Sequence, residues 1–404
     1  MSGMAIEDAL TLGLAGTAHK RQIQARRLLE LSGRSDPRRL LAVLGRQRLI
    51  HLGIARLREL GAEELTAELT ARTTERETAV RWQAVEQEML THAIVGALGE
   101  HHVPAIPIKG AVLARRLFDD PGLRESDDVD LLVAAHQLEE AVEVVRSRFG
   151  YSAPRDARHA CGRPLLHYGL IHPDGLPTVE LHWRVHWYEE RSGGRMVARS
   201  VVEEGLPRLS PADEIACLLL VYARDGFAGV RPLADLAAWW DRNVDRLPAG
   251  GIGRFAREFP ELGPSLAVSA ALSQALTGAP ASNALTTHQP WSDRMKRAAR
   301  LANWGLVGQD EQIYADIAMV DLLLTPPTQA WLFLRRQVLL PLDVAADRLV
   351  ETESTRARLV LAAVLHVPRI VVRLVLALAG TVGSRTRSPQ PADSGDSGDS
   401  GPGR

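Results

Sequence analysis

At Val103 the hydrophobic period of this chain changes. Before it, apolar residues recur every three and four positions in RRLLAVLGRQRLIHLGIARLREL and again in RETAVRWQAVEQEMLTHAIVGAL, the spacing of a helix that buries one face. From 103 the apolar runs become short and are broken by Pro, Gly and acids. VPAIPIKG reads as a strand ending at Lys109-Gly110, and AVLARRLF as a helix. DDPGLRES reads as a loop with a turn at Pro121-Gly122, and DVDLLV as a second strand. AAHQLEEAVEVVRSRFGY is an amphipathic helix closed by Gly150. RPLLHYGLIHPDGLPTVELHWRVHW is two strands joined at HPDG. That order predicts a compact mixed α/β unit over 101–190.

Beyond the Ser-Gly-Gly at 192–194 the helical spacing returns. SPADEIACLLLVYARDGF starts with Ser210 as N-cap, Pro211 in the first turn and acids behind it. RPLADLAAWWDRN, WSDRMKRAARLANWGL and QAWLFLRRQVLLPLDVAADRL continue the pattern. The fold class expected is therefore α+β, a small mixed-sheet core flanked by helical regions at 1–100 and 195–355. An amphipathic apolar helix follows at 356–383, and the Ser/Gly/Asp-rich tail 384–404 is expected to be disordered.

The chemistry sits at the mouth of the second strand. Asp127, Asp128 and Asp130 stand against an apolar run, and in a strand Asp128 and Asp130 project to one side, Asp127 to the other. Like charges side by side repel unless a cation holds them, and magnesium is the usual hard, oxygen-seeking partner. An Asp-x-Asp pair alone is weak evidence, because solvated strands carry it by chance. Here it is joined by Lys109-Gly110 at a strand-to-helix turn, suited to phosphate, and by Glu180 inside a third apolar strand.

IPIKGAVLARRLFDDPGLRESDDVDLLV followed by VELHW resembles the bacterial nucleotidyltransferase family of the polymerase-β-like superfamily. The matching positions are Lys109, Gly110, Arg124, Asp128, Asp130, Glu180 and His182. The resemblance implies transfer of a nucleotidyl group from an NTP to an acceptor with Mg2+ or Mn2+. It implies that Asp128, Asp130 and Glu180 are the catalytic metal ligands and that Glu180 helps deprotonate the acceptor. Lys109, the Gly110 amide and Arg124 would bind the triphosphate. Asp127 is left as a solvated or capping acid. Lys109-Gly110 stands where the wider superfamily usually has Gly-Ser or Gly-Gly, and LLLVYARDGF lacks a histidine found in relatives. A non-catalytic nucleotide- or partner-binding module of the same fold is the alternative reading.

Composition narrows the rest. Net charge is −1, which gives no global electrostatic case for nucleic acid. The two cysteines, Cys161 and Cys217, lack metal or disulfide spacing and fit a reducing cytosol, and no signal peptide is expected. His182 and His186 have no Glu placed as in a zinc protease. Trp183 and Trp187 read as core or interface aromatics. Arg231 and Asp235 read as a helical ion pair. In 358–382, Arg358, His366, Arg369 and Arg373 form a basic stripe and Pro368 interrupts the run. Mid-bilayer charges cost about 2.5–3.5 kcal/mol each, so spanning is not expected. The readings left are a helix packed on the body and peripheral membrane contact.

Overall fold

The computed structural model describes residues 4–152, 166–186, 189–281, 292–302 and 323–326. Cys161, Trp187, the candidate helix 329–349, the apolar stretch 358–382 and the tail lie outside the described residues. Five helices open the chain: α1 Ile6–Leu14, α2 Ala18–Ile23, α3 Ala25–Ser32, α4 Pro37–Arg46 and α5 Ile50–Glu59. α6, Glu63–Glu100, runs 38 residues, a length of about 57 Å at 1.5 Å per residue. The α/β unit follows as β1 Ala105–Pro107, α7 Gly110–Phe118, β2 Asp128–Val133, α8 Leu138–Phe149, β3 His167–Leu170 and β4 Thr178–His182.

The sheet is mixed, in the order β1-β2-β4-β3. β1 is antiparallel to β2, β2 runs parallel to β4, and β3 closes antiparallel on β4. The period of two sorts its side chains. Val129, Leu131, Val133, Val179, Leu181 and Leu170 share one face and pack with Ile94 and Leu98 of α6 and Val144 and Val145 of α8. Each such side chain, fully buried, is worth about 1.5–3 kcal/mol. The other face carries Asp128, Asp130, Glu180, His182 and His167. A one-residue slip of β2 would exchange the two sets, so the apolar core fixes the register that presents the acids.

The SGG expected to separate the α/β unit from the helices instead lies within α9, Arg191–Ala198. The Trp183 carbonyl occupies the space a β-carbon at Gly193 would need, so this glycine serves close packing rather than a break. A hairpin, β5 Val201–Glu203 and β6 Leu206–Arg208, then interrupts the helices. Its three-residue strands are too short to show a period.

α10, Pro211–Arg224, begins as expected, with Ser210 accepting from the Asp213 amide and Pro211 in the first turn. α11 Arg231–Asn243, α12 Gly251–Glu258, α13 Gly263–Thr277 and α14 Asp293–Leu301 follow. The first and last helices are not separate layers: Leu10, Leu28, Leu40 and Leu44 share one apolar core with Leu219, Tyr222, Trp239 and Leu266. The Thr17 amide donates to the Thr277 carbonyl at 2.8 Å, and Lys20 Nζ reaches the Ala275 and Leu276 carbonyls. No helix among the described residues is long and apolar enough to cross a membrane.

Candidate active site on the polar face of the sheet

The register sets the geometry. Asp130 lies beside Glu180 and Asp128 beside Thr178 across the parallel β2–β4 pair. On the far side His167 is directly opposite His182, and Gly169 opposite Glu180. Alternation puts all of these on one face, in three adjacent strands.

Asp130 is the most deeply placed of the three candidate acids, 3% exposed. Its Oδ1 accepts from Lys109 Nζ at 2.8 Å and lies 2.9 Å from His182 Nε2. Burial pushes its carboxyl up, but Lys109 and His182 outweigh it and hold the group well below the usual carboxylate range. Asp128, at the strand mouth, behaves oppositely. Burial raises it first, and the charges of Asp130, Glu180 and Asp127 raise it further against the pull of Lys109. Asp127 points away and pairs with Arg48 at 2.5 Å on the surface.

Glu180 has two imidazole neighbours. His182 Nε2 is 3.1 Å from Oε2, and His167 Nε2 is 3.5 Å from Oε1. Burial alone would raise Glu180, yet the His182 hydrogen bond and charge bring it below its ordinary value. His167 is pushed down to about 4, by burial first and by the His182 charge next. It is therefore a neutral imidazole at neutral pH.

The phosphate-side residues divide. Lys109 occupies the N-cap position of α7 and Gly110 its first residue, at φ 74°. A β-carbon at Gly110 would meet the Asp128 carbonyl oxygen at 3.3 Å, so the start of α7 lies against the mouth of β2. Ahead of β2, Gln83 and Gln87 of α6 both donate to the Ser126 carbonyl and steady the loop. Arg124 turns inward: its Nε donates to both oxygens of Asp235 at 3.1 and 3.0 Å, and both side chains are about 95% buried. Asp235 is thus taken by Arg124 and not by Arg231, whose Nη1 donates to the Glu125 carbonyl at 3.1 Å. Helical spacing allowed the Arg231 pair, but a partner from the α/β unit won it.

Two site residues carry no motif of their own. His167 is one. The other is Arg224, at the end of α10, which is buried and held above its ordinary range because Asp225 and Asp130 outweigh its burial. Its Nε donates to Asp225 at 3.1 Å, and its charge also acts on His167. Cys217 is buried and its thiol is pushed up to about 12, so it is no nucleophile at neutral pH.

Three carboxylates on one face, one of them raised by the others, form a donor set suited to a divalent cation. His167, Glu180 and His182 each offer a ligand atom, all within 4.8 Å of one another. A family model described as "Uncharacterised nucleotidyltransferase" matches residues 33–275, which takes in the sheet, α6 and the helices through α13. No curated protein matches the chain. No solved structure matches it.

Proposed function

Since the chain belongs to the uncharacterised nucleotidyltransferase family, we propose that it transfers a nucleoside monophosphate from an NTP to a hydroxyl or phosphate oxygen of an acceptor, with help from a divalent metal ion. The observation that carries this reading is geometric: the parallel β2–β4 register sets Asp128, Asp130 and Glu180 on one face of two adjacent strands, where burial first and the charges of Asp130 and Glu180 next raise the Asp128 carboxyl. Such an arrangement costs stability unless a cation is bound there.

In this reading Asp128, Asp130 and Glu180 hold the ion, Mg2+ or Mn2+. When bound, it neutralises charge on the α-phosphate and on the departing pyrophosphate. The acceptor oxygen attacks the α-phosphorus. The bond from that phosphorus to the bridging oxygen breaks, its electron pair leaves on pyrophosphate, and the acceptor proton goes to solvent. The Gly110 amide and the start of α7 face the phosphates. Lys109 adds a positive charge there. Arg124, turned inward to Asp235, holds the loop ahead of β2 in this reading. Glu180, held ionised below its ordinary value, is a better ligand than base. Gly169 stands opposite it, and among the described residues nothing lies within 4 Å of where its β-carbon would stand. The acceptor is placed there.

A second reading, a nucleotide-binding module without turnover, draws on a different observation: Lys109 and His182 already occupy Asp130 Oδ1. Pyrophosphate release separates the two. With Mg2+ or Mn2+, an NTP panel and an acceptor panel, the wild type is expected to release pyrophosphate. Glu180→Gln is expected to bind NTP within several-fold of wild type and to lose nearly all turnover. NTP binding with no release under any condition supports the binding module, and normal turnover in Glu180→Gln removes Glu180 from the site.

A further inference from the structure

Transfer by three carboxylates asks for a hard ion with oxygen ligands, yet the polar face also brings two imidazoles to Glu180. We infer that His167, Glu180 and His182 form a mixed nitrogen–oxygen site for a late first-row divalent ion, of the Zn2+ or Co2+ class, which binds there in preference to Mg2+. The inference rests on the proposed transfer site only in sharing Glu180, and it needs no nucleotide.

The backbone builds the set. Antiparallel pairing places His167 directly opposite His182, while Glu180, two residues back on β4, takes the same face. The rings meet edge to face with centroids 4.9 Å apart. Glu180 is approached from both sides, by His182 Nε2 at 3.1 Å and by His167 Nε2 at 3.5 Å. Donors at about 2.0–2.1 Å from a tetrahedral zinc stand roughly 3.3 Å from one another. The three donors already lie within 4.8 Å, so closing on an ion needs side-chain shifts of about 1 Å and no backbone change.

Both rings turn Nε2, the atom that would ligate an ion, towards Glu180. Nδ1 of each ring is buried and has no hydrogen-bond partner among the described residues, so the contacts of both imidazoles with the cluster run through Nε2. Imidazole donors favour zinc, copper, nickel and iron, whereas magnesium keeps to oxygen. With three protein ligands, and no described residue within 4 Å of a β-carbon at Gly169, a fourth position is left for water or a substrate oxygen.

Co2+ alone, added to chelator-treated protein, tests this, because its visible absorption reports nitrogen coordination. The wild type is expected to take up one equivalent with a visible band that Zn2+ displaces and equimolar Mg2+ does not. His167→Ala and His167→Gln, at a partly exposed position, are each expected to weaken binding at least tenfold, with folding checked by circular dichroism. Asp128→Asn is expected to keep the band while losing nucleotide transfer, which separates this site from the transfer reading. Absence of the band, wild-type Co2+ affinity in both His167 variants, or displacement by equimolar Mg2+ would overturn the inference.

Discussion

Lys109 places its ammonium 2.8 Å from Oδ1 of Asp130, inside the fold, so one acid of the Asp-x-Asp pair carries its own counter-ion. The other, Asp128, has no ion pair among the described residues, and burial first and its acidic neighbours next raise it. Two aspartates two residues apart on one strand face are thus in opposite electrostatic states. Removing Asp130 strands a buried ammonium, and losing one partner of a buried pair costs about 3–5 kcal/mol. Asp130→Asn is expected to lose stability on that scale in urea unfolding without metal. Asp128→Asn is expected to be neutral or stabilising. Equal effects of the two substitutions would show that the strand mouth is simply solvated.

The same states give a pH dependence. His167 titrates at about 4 in the folded chain against an ordinary 6.5, so the unfolded chain takes up its proton first. This contribution is fully present above pH 6.5 and is lost as pH falls from 6.5 towards about 4. Asp130, held well below its ordinary 3.8, contributes stability above that value and loses it only in stronger acid. The metal-free protein is therefore expected to lose stability between pH 7 and pH 5, and His167→Gln to lose less. Unfolding midpoints at both pH values check this, and an equal fall in the variant contradicts the burial of a neutral ring.

Much of this was readable in the sequence. The change of period at Val103, the alternation in DVDLLV and the Ser210-Pro211 helix start each mark local structure strongly. The apolar partners of β2 left only one face for Asp128, Asp130 and Glu180. What escaped was set by distance along the chain. Asp235 has a helical neighbour of the right sign in Arg231, and only the tertiary fold brings Arg124 from 111 positions away. His167 had a signal: counting outward from the Asp174-Gly175 turn pairs it with His182. Arg224 had none, since a charged residue at the end of a helix is ordinary.

The Arg124–Asp235 pair ties the loop before β2 to α11. Arg124→Ala or Asp235→Ala is expected to cost about 3–5 kcal/mol, because each leaves a buried charge alone. Arg124→Met combined with Asp235→Leu is expected to recover most of that loss. A double-mutant cycle measures it. Near-additive losses would show that the two residues act separately.

The central claim concerns which phosphate bond breaks. Incubation of the chain with a divalent ion, a cell extract as acceptor source, and either α- or γ-labelled NTP tests it most directly. The account predicts that α-label enters an acceptor, that γ-label leaves as pyrophosphate, and that Asp130→Asn does neither. Label transferred from the γ position, or α-label transfer that persists in Asp130→Asn, would contradict it.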